Sequence, residues 1–350
     1  MSASLLAFFI ALSASLVLAV PVRALALRVG MVDLPGPRKV HLQPIPLLGG
    51  LAIYGGVLLG VYSLFQGEAR AQIGGILAGA TLIAAVGILD DRGWLHHQVK
   101  LFVGMPLAAV ILLLSGIHAQ VFSVLVGGRI GNVLDAVVSI VWVVGITASF
   151  SILDHMDGLC AGIAAMASIF FAMLAYLNGQ TLVSVLAAAV LGAAAGFLRW
   201  NFKPAKIFMG DGGAMFLGFL MATLGLKLRL EHANHFASWV AAVLVLGATI
   251  FDTTLVTISR SRRGLLPFAT PGKDHAAHRL ANLKLGQRGA VLAMYLMGAI
   301  SGSLAIMVSY LSTTRAMLLV AAVVVAALIG VALLEGAPYE SQAKKAATAE

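Results

Sequence analysis

The stretch SILDHMDGLC, Ser151 to Cys160, puts two aspartates three residues apart between two long apolar runs, 133–150 and 158–177. Each run has the roughly 20 mostly apolar residues that a bilayer-crossing helix needs. Working outward from them, further runs of the same kind follow at 3–20, 47–65, 72–89, 99–116, 181–198, 207–226, 237–258, 290–311 and 316–334. The chain is 60% hydrophobic and 11% charged, whereas soluble domains carry about 25% charged residues. The pattern predicts an all-α polytopic membrane protein with about 11 transmembrane helices, one integral membrane domain over 1–335 and a disordered tail over 336–350.

Orientation follows from the cations. The leader MSASLLAFF lacks the positive region of a signal peptide, and Arg23, Arg28, Arg38 and Lys39 come after the first run. That order favours an N-terminus outside and, after eleven crossings, a cytoplasmic C-terminus. Of the 23 Lys and Arg, only Arg70, Arg129, Lys227, Arg229 and Arg315 then fall on the outer side. The net charge of +9 therefore describes a basic inner face, not a nucleic-acid binder. Cys160 is the only cysteine and is read as a small packing residue, which excludes an intrachain disulfide. On the outer side, Gly127-Gly128 within VFSVLVGGRIGNV is expected to turn a short hairpin.

With only 14 acidic residues in the chain, the placing of aspartates is informative. Asp33, Asp90, Asp91, Asp154, Asp157, Asp211, Asp252 and Asp274 all fall at or near the inner face. Carboxylates at membrane depth are costly and mark function by default. Asp90 and Asp91 are adjacent and repel, which a divalent cation would relieve. Asp154 and Asp157 share a face if that stretch is helical, and the following glycine allows close backbone approach. Asp211 stands among glycines where a span begins, so backbone N–H groups there favour an anion. Asp252 lies inside a span, about two turns before Arg260, and a structural and an active-site role are equally open.

The cations sit beside these acids. SRSRRGLLPFATPGKDHAAHRL holds Arg260, Arg262, Arg263, Lys273, His275, His278 and Arg279; DLPGPRKVHLQPIPLLGG holds Arg38, Lys39 and His41; RWNFKPAK holds Lys206. Acidic clusters able to hold Mg²⁺, set against abundant cations in a membrane setting, imply Mg²⁺-dependent phosphoryl transfer with a lipid substrate. No GxxxxGK[ST] and no HExxH occurs, which argues against a P-loop ATPase and a zinc protease.

RKVHLQPIPLLGG, GILDDRGWL, LDHMDGLCAG, KIFMGDGGAMFLGF, FDTTLVTISRSRRG and GKDHAAHRL stand in this order. Over about residues 30 to 310 the chain resembles the polyprenyl-phosphate N-acetylhexosamine-1-phosphate transferases, the WecA/MraY-like membrane enzymes. Within them it is most similar to the branch using UDP-N-acetylglucosamine, because HAAH stands where the muramoyl-pentapeptide branch has three consecutive histidines. The resemblance implies transfer of a sugar 1-phosphate from a UDP-N-acetylhexosamine to undecaprenyl phosphate with release of UMP. It also implies a multi-pass protein of the bacterial inner membrane with its active site on the cytoplasmic face; whether it forms a homodimer is left open. By the same resemblance Asp157 and Asp211 would hold Mg²⁺, or Mn²⁺ in its place, with Asp154 close by. Asp90 and Asp91 would act at the lipid phosphate, and His275, His278, Arg262, Arg263, Lys273 and Arg279 at the diphosphate. Arg38, Lys39, His41 and Lys206 complete the expected substrate contacts.

The chain departs from its relatives at four positions. Ser151 and Ala148 replace asparagines, and GDGGA replaces GDSGS, so that Gly212 and Ala214 lack hydroxyls. These departures motivate the alternative of a catalytically weak relative that binds polyprenyl lipid or scaffolds a polysaccharide assembly complex.

Overall fold

The computed structural model describes residues 2–35, 43–66, 70–230, 235–266 and 272–337. All eleven apolar runs are helical, but they are not equivalent. Among the described residues seven helices are long and apolar enough to cross a membrane. An eighth crossing results if the bent pair Phe236–Val245 and Gly247–Arg262 counts as one, its axis turning by 72°. Gly50–Gly60 and Lys100–Leu114 are shorter apolar helices. Beside the helices, Val32–Asp33 pairs antiparallel with Ile45–Pro46, a small strand pair that the all-α reading did not include.

The chain packs as two compact units, Met1–Glu231 and His232–Glu350. The first unit is built around Gly210–Lys227, whose residues from Gly212 to Leu226 are all buried. This helix packs against Gly50–Gly60, Arg70–Asp91, Gly128–Leu153, Leu159–Leu177 and Thr181–Asn201. A helix apolar all round is either a core helix or a membrane span, and here the neighbours bury it. Ser2–Arg28 lies along Thr181–Asn201 and Gly50–Gly60.

Small residues decide how closely the central helix is approached. A Cβ on Gly87 would fall 2.5 Å from the Gly212 Cα, and one on Gly50 would fall 2.4 Å from the Gly213 Cα. The first contact presses the end of Arg70–Asp91, and the second the start of Gly50–Gly60, against the first turn of Gly210–Lys227. They also explain the first glycine of the GDGGA departure, since a Cβ at Gly212 would meet Ile88 Cγ1 at 2.8 Å.

The expected hairpin is absent. Phe122–Leu125 is a short helix instead, and Gly127-Gly128 turns the chain, with φ of 71° and 61°, into Gly128–Leu153. The reason is Asp135. Its Oδ1 accepts the Val121 and Phe122 N–H groups at 2.9 and 2.8 Å, and its Oδ2 accepts that of Ser123 at 3.0 Å. A buried carboxylate satisfying three consecutive N–H groups favours a helical start over a strand ladder.

In the second unit Gly247–Arg262 packs against Gly286–Ser309 and Thr313–Glu335. The short helix Ala276–Leu280 joins Gly286–Ser309 through a π turn, Ala281–Leu285.

Candidate active site

The sequence-predicted residues fall into two groups, one in each unit. The first forms where Arg70–Asp91 ends, Gly210–Lys227 begins and the chain breaks between Gly128–Leu153 and Leu159–Leu177. Asp91 fills the helix start: its Oδ1 accepts the Asp211 N–H at 2.9 Å and its Oδ2 that of Gly212 at 3.1 Å. The anion expected at this helix N-terminus is thus supplied by the protein. Gly210 makes room for it, with φ of 70° and an absent Cβ that would lie 2.4 Å from Asp91 Oδ2.

Asp90, adjacent in sequence, points to a different partner. Lys100 Nζ donates to Asp90 Oδ2 at 2.7 Å and to Asp211 Oδ2 at 2.5 Å. One ammonium therefore joins two acids 121 residues apart in sequence, while Asp91 faces backbone N–H groups instead. Lys100 was not among the expected residues. It opens a π turn, Lys100–Gly104, ahead of Met105–Leu114, and such turns recur at functional sites. A lone lysine inside the apolar run 99–116 was the available signal, since an intramembrane cation is costly without a purpose.

Asp154 and Asp157 do not share a helix face, because residues 154–158 are not helical. Gly158 takes the left-handed φ of 79° and its N–H donates to Asn201 Oδ1 at 3.0 Å, while Asn201 Nδ2 donates to the Ile207 carbonyl at 3.0 Å. The same stretch, 201–207, reaches the acids again: the Ala205 N–H donates to Asp157 Oδ2 at 3.0 Å. Asn201, buried and unforeseen, holds the two loops together. Asp154 accepts no hydrogen bond among the described residues. Burial, then the negative charges of Asp211, Asp91 and Asp157, push its carboxyl up to about 8. Ser151, one of the substituted positions, donates its hydroxyl to Asp211 Oδ1 at 2.6 Å.

The donor set of this group fits a hard divalent cation, being carboxylate oxygen throughout, with Asp154 lacking any positive or N–H partner. Asp157 and Asp211 keep lone pairs beyond those their hydrogen bonds use, because each carboxylate offers about four acceptor sites.

Lys206, expected at the substrate, is exposed, with Nζ 5.7 Å from the Trp200 ring centre. Arg38, Lys39 and His41 lie outside the described residues.

The second group gathers where Gly247–Arg262 ends and Ala276–Leu280 begins. Asp252 orients His275, with Oδ2 2.8 Å from Nδ1, and its Oδ1 accepts the Ala276 N–H at 2.7 Å. It thus caps a short helix and fixes a ring. Asp274 is forked by Arg260, Nε to Oδ2 at 3.0 Å and Nη2 to Oδ1 at 2.8 Å, and Arg263 Nη2 also donates to its Oδ2. Burial alone would raise the Asp274 carboxyl, but the two guanidinium groups outweigh it and hold it well below the usual carboxylate range.

Arg279 is fully buried. Its guanidinium donates to the Asp274, Leu334 and Glu335 carbonyls, to Ser259 Oγ and to Glu335 Oε2. In this conformation it fastens the end of Thr313–Glu335. Arg262 is exposed, whereas Arg263, Lys273 and His278 are half-buried, and the His278 ring lies 6.3 Å from that of His275.

Fold and first group together define a polytopic membrane protein with a carboxylate centre bridged by one lysine. The family model for glycosyl transferase family 4 matches residues 73–229. The chain is 36% identical over 297 residues to the "Probable undecaprenyl-phosphate N-acetylglucosaminyl 1-phosphate transferase" of Bacillus subtilis, covering 84% of this chain and 82% of that one. It is 33% identical over 338 residues to the decaprenyl-phosphate N-acetylglucosaminephosphotransferase of Mycolicibacterium smegmatis, covering 88% and 83%. With the undecaprenyl-phosphate alpha-N-acetylglucosaminyl 1-phosphate transferase of Escherichia coli K12 it shares 25% over 300 residues, covering 82% and 79%. The chain belongs to glycosyl transferase family 4, among its WecA/MraY-like polyprenyl-phosphate sugar-phosphate transferases.

Proposed function

We propose that this protein transfers N-acetylglucosamine 1-phosphate from UDP-N-acetylglucosamine to undecaprenyl phosphate, releasing UMP and initiating a cell-envelope polysaccharide. The observation that carries the reading is the carboxylate group around Asp211, with Asp154 held among three other acids and, among the described residues, without a compensating partner. The names of the relatives supply the substrate class.

In the reaction an oxygen of the acceptor phosphate bonds to the phosphorus bearing the sugar. The P–O bond to the uridylyl phosphate breaks, and UMP departs. Mg²⁺, or Mn²⁺, held by Asp157 and Asp211 with Asp154 beside them, would supply charge neutralisation at the diphosphate.

The chain's own groups do the rest by position. Lys100 holds Asp90 and Asp211 at a fixed separation and brings a cation to the phosphates. Asp91 holds the start of the Asp211 helix. Neither Asp90 nor Asp91 is needed as a base, because a phosphate monoester with a second pKa near ~6 is already mostly a dianion at neutral pH. Within the second unit, His275, oriented by Asp252, stands with Arg262, Lys273 and His278 as a group suited to binding phosphate oxygens. The substituted Ser151 supports activity, since its hydroxyl still engages Asp211.

The proposed topology has eleven crossings, an outer N-terminus and a cytoplasmic site in the bacterial inner membrane. It is supported by the bias of Lys and Arg to one side and requires Gly50–Gly60, Lys100–Leu114 and Gly210–Lys227 to complete the crossings. The test is UMP release by the purified protein from UDP-N-acetylglucosamine with undecaprenyl phosphate and Mg²⁺. Release that needs lipid, metal and Asp211 is expected; silence with every UDP-N-acetylhexosamine would overturn the reading.

A further inference from the structure

Serine and threonine hydroxyls inside helices of this protein mostly turn back on their own helix. Ser149 donates to the Gly145 carbonyl at 2.7 Å, Ser139 to Asp135 at 2.6 Å, Ser115 to Ile111 at 2.8 Å and Thr223 to Phe219 at 2.8 Å. This i−4 bond is one available to a helical hydroxyl, though others, Thr147 on the same helix among them, make none among the described residues. Ser151, two residues after Ser149 on Gly128–Leu153, breaks the pattern. Its Oγ donates to Asp211 Oδ1, 60 residues away in sequence, at 2.6 Å.

The neighbours of Ser151 hold it there. Phe150 and Leu153 on either side are fully buried, and Gly218 brings Gly210–Lys227 close enough that a Cβ on it would lie 2.8 Å from Phe150 Cβ. The last turn of Gly128–Leu153 is therefore fixed against the helix that carries Asp211. Oδ2 of the same carboxylate takes Lys100 Nζ. With one donor on each oxygen, rotation of the carboxylate about its own bond would break both contacts.

We propose that Ser151 is the positioning residue of Asp211, its hydroxyl setting the carboxylate orientation that a divalent cation meets. The proposal rests on the transferase reading for the identity of that cation. It predicts that any side chain able to donate one hydrogen bond at that reach will serve.

The experiment is Mn²⁺ binding by full-length protein in detergent, followed by the electron paramagnetic resonance signal of the free ion. Ser151→Ala should weaken Mn²⁺ binding about tenfold, the lower end for loss of a hydrogen bond to a metal ligand. Its melting temperature should be unchanged. In the UMP assay the metal concentration for half activity should rise by the same factor while KM for the UDP-sugar stays constant. Ser151→Thr or Ser151→Asn should restore binding. A Ser151→Ala protein that binds Mn²⁺ as tightly as wild type overturns the proposal, as does a loss accompanied by lowered melting that neither donor variant rescues. Wild-type protein that binds Mn²⁺ yet releases no UMP sinks the transferase reading and leaves this proposal standing. Wild-type protein that binds no Mn²⁺ sinks the proposal.

Discussion

Asp154 and Asp274 both sit just outside the ends of helices, both within reach of several charged groups, and their surroundings have opposite sign. Asp274 takes a fork from Arg260 and a further bond from Arg263. Asp154 has Asp211, Asp91 and Asp157 as its charged neighbours. Asp274, its charge answered by two guanidinium groups, works as a structural tie. A carboxylate whose charge is not answered has to take up a proton or a cation from outside. The contrast separates an acid tied by guanidinium groups from an acid set among other acids, although the two look alike in sequence.

The largest expected effect tests that contrast at its functional end. Asp211→Asn removes the carboxylate that Lys100 and Ser151 share, and UMP release should fall by roughly 10²–10³, as when a key electrostatic group is lost. A smaller loss would mean that the answered acids carry the chemistry.

Arg260→Leu leaves Asp274 buried with Arg263 alone, and breaking a buried pair by removing one partner costs about 3–5 kcal/mol. Thermal melting in detergent should drop markedly, with or without Mg²⁺; unchanged melting would deny Asp274 its structural role.

The two acids should also differ in the sign of their pH dependence. Asp154 keeps its proton in the folded chain up to about pH 8, whereas unfolded Asp loses it near ~3.9. Its contribution to stability is therefore greatest at low pH and declines as pH rises between those values. Asp274, held low, contributes above the unfolded value and loses that contribution as pH falls through its folded pKa. In metal-free protein, Asp154→Asn should flatten the fall in melting temperature between pH 5 and about 8, and Asp274→Asn should not. Identical melting profiles for the two variants would erase the distinction.

The smallest effect lies away from both groups. Asp135→Ala removes the acceptor for three N–H groups and should cost about 1–2 kcal/mol, as for a strong helix cap, leaving UMP release at saturating substrate unchanged.

How much of this was legible in the sequence varies with the kind of contact. Every apolar run is helical, because bilayer-like apolarity sustained over such lengths leaves the backbone no partner but itself. The full-length crossings were less legible, since the run 237–258 reads as continuous while its helix turns by 72° near Leu246. The aspartates were legible as a set by their rarity, and Asp90, Asp91, Asp154, Asp157 and Asp211 do converge. Their individual duties were not. Asp90 and Asp91 look like a pair, yet one faces Lys100 and the other caps a helix.

The sequence by itself determined that the chain is a helical membrane protein, which family it resembles and which few acids stand near its apolar runs, since composition, apolar length and ordered motifs are one-dimensional properties. Only the tertiary structure decided that Lys100 bridges Asp90 and Asp211, that Ser151 turns from its own helix to Asp211, and that Asp135 replaces a hairpin with a capped turn. Those are contacts across 10 to 111 residues. The first is helped by Gly87 and Gly212, which let Arg70–Asp91 approach Gly210–Lys227 closely, and the second by Gly218, which brings that helix against Phe150.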